Sequence, residues 1–368
     1  MILLLCTIRS LSKKTKILRM AMRIPPEAGG MERHVERLSE EQIKLNYSVD
    51  VFFNRGEELY SNYYQVTKLP LALLRPQFIG IALFNFLALL RLIKLKTKYD
   101  ILHIHGDWSS LLFSTSIKNL IGAKVIIVSI HDELSEKKIH NMLLKFLIKR
   151  VDVIFVTGYK AKRQIRSITD NNVYLQPSGI DEIFFSKKRR QASFNNNVAV
   201  VSNLAKKKNL GLVLDIASKL PDLKFFIAGQ GKLKKHLSKR ISIENIKNVN
   251  LLGFLDKARI KDLHMTCDIF LSTSLKEGTP TASLEAMASG LPIVTSNAGE
   301  VKQLLGNNFV IEDFCIDDYI SSIKKIRDNP VIARKISESN LELAKKYTWA
   351  NVSLFITKQT FEQLKKNE

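Results

Sequence analysis

Short runs of apolar and β-branched residues recur along this chain, and stretches with helical spacing separate them. In the first half the runs are KILRMAM (16–22), YSVDVFF (47–53), DILHIH (100–105), KVIIVSI (124–130), DVIFVT (152–157) and NVYLQPS (172–178). In the second half they are NVAVVS (197–202), LKFFIAG (223–229), NVNLLGF (248–254), DIFLST (268–273), LPIVTS (291–296) and NFVI (308–311). Nearly unbroken apolar runs of this length suit strands buried on both faces of a parallel sheet. Intervening stretches such as GLVLDIASKL and ARIKDLHMTC supply the crossover helices. The pattern predicts an α/β protein of two Rossmann-like, doubly wound domains facing across a cleft, with ligands at the carboxyl ends of the strands.

Boundaries follow from breaks in the pattern. SKKRRQASFNNN (186–197) is polar and basic without apolar periodicity, and reads as a linker between a first domain at 16–185 and a second at 198–346. Residues 1–15 read as an untargeted extension, because the short apolar run in MILLLCTIRSLSKKTK has no basic residue ahead of it. YTWANVSLFITKQTFEQLKK (347–366) is amphipathic at helical spacing, and residues 347–368 are expected to form a helix packed back on the first domain.

Two segments raise the question of a membrane. FIGIALFNFLALL (78–90) falls short of the roughly 20 residues of a span, so a buried core helix is the first expectation and an interfacial element the second. EKKIHNMLLKFLIKR (136–150) places apolar residues 139, 142, 143, 146 and 147 on one face and cations on the other. It reads as a surface helix over the first sheet, or as an interfacial helix on anionic lipid.

Composition narrows the class. The 368 residues are 45% apolar, which is globular and long enough for two cores. The net charge of +22 is uneven, at +14 for residues 1–190 and +8 beyond. Nucleic acid and the anionic inner face of a cell membrane both attract such a surface. No helix-turn-helix, zinc or aromatic RNA-binding signature accompanies the charge, which favours the membrane. Cys6, Cys267 and Cys315 lack metal-ligand spacing and read as reduced, buried thiols of a cytoplasmic protein.

The densest chemistry lies in EGTPTASLEAMASGLP (277–292). After the strand DIFLSTS, Thr279, Pro280 and Thr281 read as the N-cap and first positions of a helix that stops at Gly290. The helix mouth, Gly278 to Thr281, is an anion site by its free N–H groups and dipole. Glu277 before it and Glu285 inside it can each accept hydrogen bonds from vicinal hydroxyls, and an ordinary helix start with an acid nearby has the same spacing. In VSNLAKKKNL (201–210), Lys208 follows a strand as a point charge for a phosphate, or as part of a solvated lysine run. Gly29 and Gly30 sit where a strand turns into the helix MERHVERLSEEQ. FIAGQG lacks the third glycine and the distant acid of a dinucleotide fingerprint, and reads as a structural turn.

Together these segments resemble the family 4 retaining glycosyltransferases of the GT-B fold, the glycosyltransferase group 1 type. The resemblance runs through nearly the whole chain after residue 15. PPEAGGMERHV (25–35), VSIHDE (128–133), VYLQPSGID (173–181), FIAGQGKLKKHL (226–237) and the 277–292 segment stand in the family's order and spacing. The resemblance implies that Glu285 binds the nucleotide ribose and that Glu277 contacts the donor hexose. It further implies that the backbone of Gly278, Thr279, Pro280 and Thr281 holds the distal phosphate, and that Gly29 and Gly30 form the first glycine-rich loop beside the donor. His131 would contact the donor sugar and help organise the transition state. Lys208 matches the family's diphosphate lysine, but Asn203 stands where the family has arginine, so Lys206, Lys207 or Asn203 itself must make up the missing contact.

His103 and His105 alternate in DILHIH and so share a face, yet no third ligand is apparent and no metal is expected. No cofactor is expected beyond the donor, a UDP- or GDP-sugar. The implied activity is metal-independent, retaining transfer of a hexose-type sugar to a glycan or lipid-linked acceptor in cell-envelope polysaccharide synthesis. The protein is then expected to be cytoplasmic and peripheral on the inner membrane face, with no nucleic-acid partner. The alternatives are a nucleotide-sugar epimerase on the same fold and a basic nucleic-acid-binding protein.

Overall fold

Each apolar run forms a parallel strand. The computed structural model describes residues 15–27, 29–58, 60–131, 133–134, 137–185 and 194–367, and the chain divides into two units, 1–178 with 349–368, and 179–348.

The first unit holds a seven-stranded parallel sheet of order β3-β2-β1-β4-β5-β6-β7. Its strands are β1 (Lys16–Met20), β2 (Ser48–Phe53), β3 (Tyr63–Gln65), β4 (Ile101–His105), β5 (Val125–Ile130), β6 (Val153–Val156) and β7 (Asn172–Leu175). Every residue of β4, β5 and β6 is buried, as strands covered on both faces require. Alternate side chains feed two cores. Leu18, Leu102, Ile126 and Ile154 face one way with the helices Gln77–Leu95, Ser114–Ile121 and Lys138–Ile148. Ile17, Val51, Ile127 and Phe155 face the other with the helices Gly30–Lys44 and Trp349–Asn367. The last helix belongs to this unit through buried Trp349, Val352, Ile356 and Leu364.

The edge strand β3 has no counterpart among the expected runs. It is three residues long, pairs among the described residues only with β2, and exposes part of two of its side chains. The segment at 78–90 departs further from expectation. Its helix extends over Gln77–Leu95 and buries one stripe, Ile81, Phe84, Ala88 and Leu92, while Ile79, Phe86, Leu90 and Ile93 are exposed. It is therefore not a buried core helix, and by length and composition it could cross a membrane. The helix Lys138–Ile148 packs through Leu144 and Ile148, and leaves Ile139, Met142 and Phe146 exposed. Its ends fall inside the expected 136–150.

The second unit holds a six-stranded parallel sheet of order β10-β9-β8-β11-β12-β13. These strands are β8 (Asn197–Val201), β9 (Lys224–Ala228), β10 (Val249–Gly253), β11 (Ile269–Ser272), β12 (Ile293–Ser296) and β13 (Phe309–Ile311). The division at Ser178 and Gly179 precedes the polar run 186–197, of which 186–193 lie outside the described residues, as do residues 1–14 with Cys6. Cys267 is buried, but Cys315 is exposed, because it precedes the helix Ile316–Arg327 at the surface. The expectation of a buried thiol fails there.

Both sheets reverse their strand order once. In the first unit the reversal lies between β1 and β4, and in the second between β8 and β11. Ligands of open α/β sheets bind at the carboxyl ends of the strands at this switch point. The loops that leave β1, β4, β8 and β11 are therefore where chemistry is expected.

Candidate active site

In the second unit the switch point brings together the two loops that carry Lys208 and Glu277. The chain leaves β8 at Val201 and makes a 3₁₀ turn at Lys206–Lys208, and Asn209 takes a left-handed conformation. The loop after β11 is stitched to this turn. Thr273 Oγ1 donates to the carbonyls of Lys208 at 3.1 Å and Asn209 at 3.0 Å, and the Leu275 amide donates to the Lys207 carbonyl at 2.8 Å. Lys208 Nζ then meets Glu277 Oε1 at 2.5 Å, with the two side chains only 16% and 14% exposed. Lys206, Lys207 and Asn203 are exposed, and Lys208 alone of the basic run turns inward to that carboxylate.

Glu277 is also fixed from the β12 side. Ser296 Oγ donates to the Ser274 carbonyl at 2.5 Å. Gly299 has φ +74°, and a Cβ there would stand 2.2 Å from the Glu277 carbonyl oxygen. Only glycine allows the two backbones to approach so closely.

The helix of the 277–292 segment runs over Thr281–Ala288 with Pro280 as its cap, and no side chain caps it. The expected start at Thr279 and Pro280 is displaced. Pro280 has ψ 68°, outside the helical region, and the Thr281 amide bonds to the Thr279 carbonyl at 2.8 Å. Pro280 therefore offers the first turn no side-chain acceptor, and Gly278, Thr279 and Thr281 are partly accessible around it. Glu285 is the fifth helical residue and is buried at 5% exposure, and Gly290 ends the helix with φ +75°. The FIAGQG turn packs backbone to backbone beneath this site. Cβ atoms at Gly229 and Gly231 would stand 1.8 Å from the Ser202 carbonyl oxygen and 2.5 Å from that of Leu204. These two glycines shape the β8 loop.

In the first unit the switch point holds a histidine cluster. His105 ends β4 and His131 follows β5, and His105 Nδ1 lies 3.1 Å from His131 Nε2. The rings of His103 and His105 stack at 4.3 Å, which places both on one face. His103 Nε2 meets Ser129 Oγ at 2.8 Å, and its Nδ1 lies 3.3 Å from the Arg19 guanidinium. Arg19 is fully buried and also donates to Ser39 and Gln42. His34, buried on the helix Gly30–Lys44, meets the His131 ring edge-on at 4.9 Å and Trp349 at 5.4 Å. Its Nδ1 lies 3.4 Å from Ser178 Oγ, in the PSGID segment.

Burial holds these rings neutral. His131 is pushed down to about 4 by desolvation. His34, His103 and His105 are driven well below the ordinary histidine range by burial first, and then by neighbouring cationic forms of the cluster and of Arg19. The Thr157 hydroxyl donates to the His131 carbonyl at 3.0 Å and anchors that loop to the end of β6. Among the described residues, no group of three or more His, Cys, Asp or Glu side chains could hold a metal.

Gly29 caps the helix Gly30–Lys44 in extended conformation, and Gly30 is its first residue with nothing within 4 Å of a built Cβ. Neither glycine has a positive φ in the left-handed region, so the turn itself does not demand them. Of the expected site residues, the structure joins Lys208 to Glu277 and sets the helix mouth and Glu285 on the following helix. In the other unit it joins His131 to the His103–His105 face that the sequence pattern predicts, and adds His34 and Arg19, which the sequence did not single out. His34 and Arg19 gave no signal, because a histidine in a charged helix and an arginine in a strand read as exposed.

Comparison with known proteins identifies the family and the fold. The profile described as Glycosyl transferases group 1 matches residues 181–343, and that described as Glycosyltransferase Family 4 matches residues 28–183. The chain is 26% identical over 309 residues to a phosphatidylinositol N-acetylglucosaminyltransferase subunit of Homo sapiens, covering 78% of this chain and 63% of that protein. It is 24% identical over 279 residues to UDP-Gal:alpha-D-GlcNAc-diphosphoundecaprenol alpha-1,3-galactosyltransferase of Escherichia coli, covering 67% of this chain and 71% of that one. Among solved structures, sucrose-phosphate synthase from Thermosynechococcus elongatus superposes with TM-score 0.80 at 16% identity, over 96% of this chain and 100% of that one. Anabaena Alr3699/HepE in complex with UDP and glucose gives 0.74 at 16% identity, over 95% and 100%. With two family profiles adjoining across residues 28–343 and two doubly wound parallel sheets, the chain belongs to the group 1 glycosyltransferases of the GT-B fold.

Proposed function

We propose that this glycosyltransferase moves a hexose-type sugar from a UDP- or GDP-sugar to a lipid-linked or glycan acceptor, with retention and without a metal, in cell-envelope polysaccharide synthesis. The Lys208–Glu277 pair at the switch point of the second sheet carries the reading, because it sets a phosphate-seeking cation against a hydroxyl-seeking carboxylate beside an uncapped helix mouth.

In this mechanism the bond between the anomeric carbon and the diphosphate oxygen breaks through an oxocarbenium-like transition state. The acceptor oxygen attacks from the same face, and its proton leaves with the phosphate. Charge builds on the departing diphosphate, where Lys208 and the first-turn amides at 278–281 stabilise it. Glu277 accepts from the hexose hydroxyls and Glu285 from the ribose. His131 is uncharged at neutral pH, so it orients the sugar as a hydrogen-bonding group without adding a cation beside the developing oxocarbenium. Asn203, exposed at the end of β8, supplies neutral donors where arginine is the family's residue. Gly30 leaves open space for the donor beside the first helix, whereas the Cβ position of Gly29 is filled by the Glu32 carboxylate at 1.9 Å, so Gly29 serves the donor through its backbone.

The lipid-linked acceptor draws support from the relatives' names, one of which specifies phosphatidylinositol and the other diphosphoundecaprenol. The +14 charge of residues 1–190 supports a peripheral position on the inner, anionic face of a membrane. The test is incubation of the purified protein with radiolabelled UDP- and GDP-hexoses and a lipid extract, followed by the anomeric configuration of the product. Label entering the lipid phase with retained configuration, and lost in Glu277→Ala, is the expected result. Conversion of the donor without an acceptor would instead make the protein an epimerase.

A further inference from the structure

The two helices with apolar faces turned to solvent lie on the same face of the first sheet. On Gln77–Leu95 the exposed residues Ile79, Phe86, Leu90 and Ile93 recur at intervals of seven, four and three, which is one stripe of a helix. The buried stripe of the same helix, Ile81, Phe84, Ala88 and Leu92, lies opposite and is locked in the sheet core. That packing rules out a spanning orientation for the folded helix, because a span would pull these four side chains out of the core. On Lys138–Ile148, exposed Ile139, Met142 and Phe146 likewise stand opposite buried Leu144 and Ile148.

The two stripes are parts of one surface. Both helices pack on the turn Trp108–Leu111 just beyond β4, where the Trp108 ring stands 5.7 Å from Phe78 of one helix and 5.2 Å from His140 of the other. Phe86 further contacts exposed Phe113 at 6.0 Å. An apolar patch this extended marks an interaction site.

The charge around the patch selects its partner. No acidic residue occurs between Glu58 and Asp100, or between Glu136 and Asp152. Those intervals carry exposed Arg75, Lys94, Lys96 and Lys98, and exposed Lys138, Lys145, Lys149 and Arg150. Apolar stripes fringed by these cations match an anionic bilayer, with the side chains below the headgroups and the cations at their level.

We propose that the paired faces of Gln77–Leu95 and Lys138–Ile148 form one bilayer-docking surface that seats the first unit on anionic phospholipid. The proposal rests on the lipid-linked acceptor reading for its purpose, and its geometry fits that purpose. The surface begins at the carboxyl-end edge of the sheet that carries His105 and His131, so an acceptor anchored in the bilayer has its polar head at that edge.

The test uses the full chain in flotation with vesicles of phosphatidylcholine and phosphatidylglycerol. The wild type should float, and part of the binding should persist in high salt, because apolar insertion is not screened. Phe86→Glu/Leu90→Glu and Ile139→Glu/Phe146→Glu should each reduce the floated fraction at least tenfold. Ile243→Glu, at an exposed apolar residue of the second unit, should leave it unchanged. Nucleoside diphosphate titration and a thermal melt establish that each variant is folded. Flotation at the wild-type level in both double variants would overturn the proposal. So would a chain that does not float but sediments as a dimer dissolved by Phe86→Glu/Leu90→Glu, since the occupant would then be a second copy. A wild type that binds diphosphate but does not float sinks the docking surface alone, whereas flotation without diphosphate binding sinks the donor-site reading and leaves docking standing.

Discussion

Removing Glu277 should separate donor binding from transfer. Its carboxylate holds Lys208 at 2.5 Å, with both side chains mostly shielded from water. A charge-assisted hydrogen bond of this kind contributes about 1.5–3 kcal/mol, equivalent to roughly 10–100-fold in an equilibrium constant. A diphosphate that takes the Lys208 ammonium must compete with that carboxylate for its protons. Glu277→Ala frees the ammonium, so nucleoside diphosphate affinity should stay unchanged or tighten by up to about tenfold. Transfer should fall by about 100-fold or more, as when one transition-state contact is lost. Lys208→Ala should weaken the same diphosphate by at least about tenfold. Isothermal calorimetry on the two variants and the wild type reads the affinities, and initial rates read the transfer. A tenfold or greater loss of diphosphate affinity in Glu277→Ala would overturn this role, because Glu277 would then serve as the support that aims Lys208 at phosphate.

Three further outcomes follow from particular residues. Gly299→Ala forces a Cβ to within 2.2 Å of the Glu277 carbonyl oxygen at φ +74°, so transfer should fall by about 100-fold as the Glu277 loop shifts; Gly30→Ala, with open space at its Cβ, should leave the melting temperature unchanged. The buried histidines stay neutral in the folded state down to about pH 4 at His131, whereas the unfolded chain binds protons near pH 6.5. Their contribution to stability is therefore complete above about pH 6.5 and is lost as the pH falls toward 4, at up to about 1.4 kcal/mol per pH unit for each ring, and melts that stay flat across this window would contradict it. Ile356→Ala, fully buried between the last helix and the first sheet, should cost about 2–5 kcal/mol in denaturant unfolding; a cost under about 1 kcal/mol would mean the last helix is not part of that core.

The strands are legible in the sequence because burial on both faces leaves a continuous apolar run, and β4, β5 and β6 are buried at every position. The three-residue edge strand Tyr63–Gln65 escapes, since pairing with β2 alone asks little of its side chains. The helix mouth is readable to within two residues. Its true start depends on the ψ of Pro280 and on the bond from the Thr281 amide to the Thr279 carbonyl, which composition does not encode. Lys208 and Glu277 are readable one by one, but their 2.5 Å contact is a product of the β8–β11 switch between residues 69 apart in sequence. The place of His34 in the histidine cluster is hidden for the same reason, as His34 comes to His131 only through the packing of the first helix on the sheet. An apolar run reads alike whether its second face meets a core or a bilayer, and so the exposed stripe of Gln77–Leu95 reads as core in the sequence.

Every step proposed above depends on a nucleotide-sugar site on the second unit, built around Lys208, Glu277 and Glu285. Calorimetric titration of the purified protein with UDP, GDP and ADP, alongside a folded Glu285→Ala variant, tests it most directly. Saturable binding of UDP or GDP in preference to ADP is expected, weakened in the variant by the loss of the ribose contact. Binding of none of the three, or binding untouched by Glu285→Ala, would contradict it.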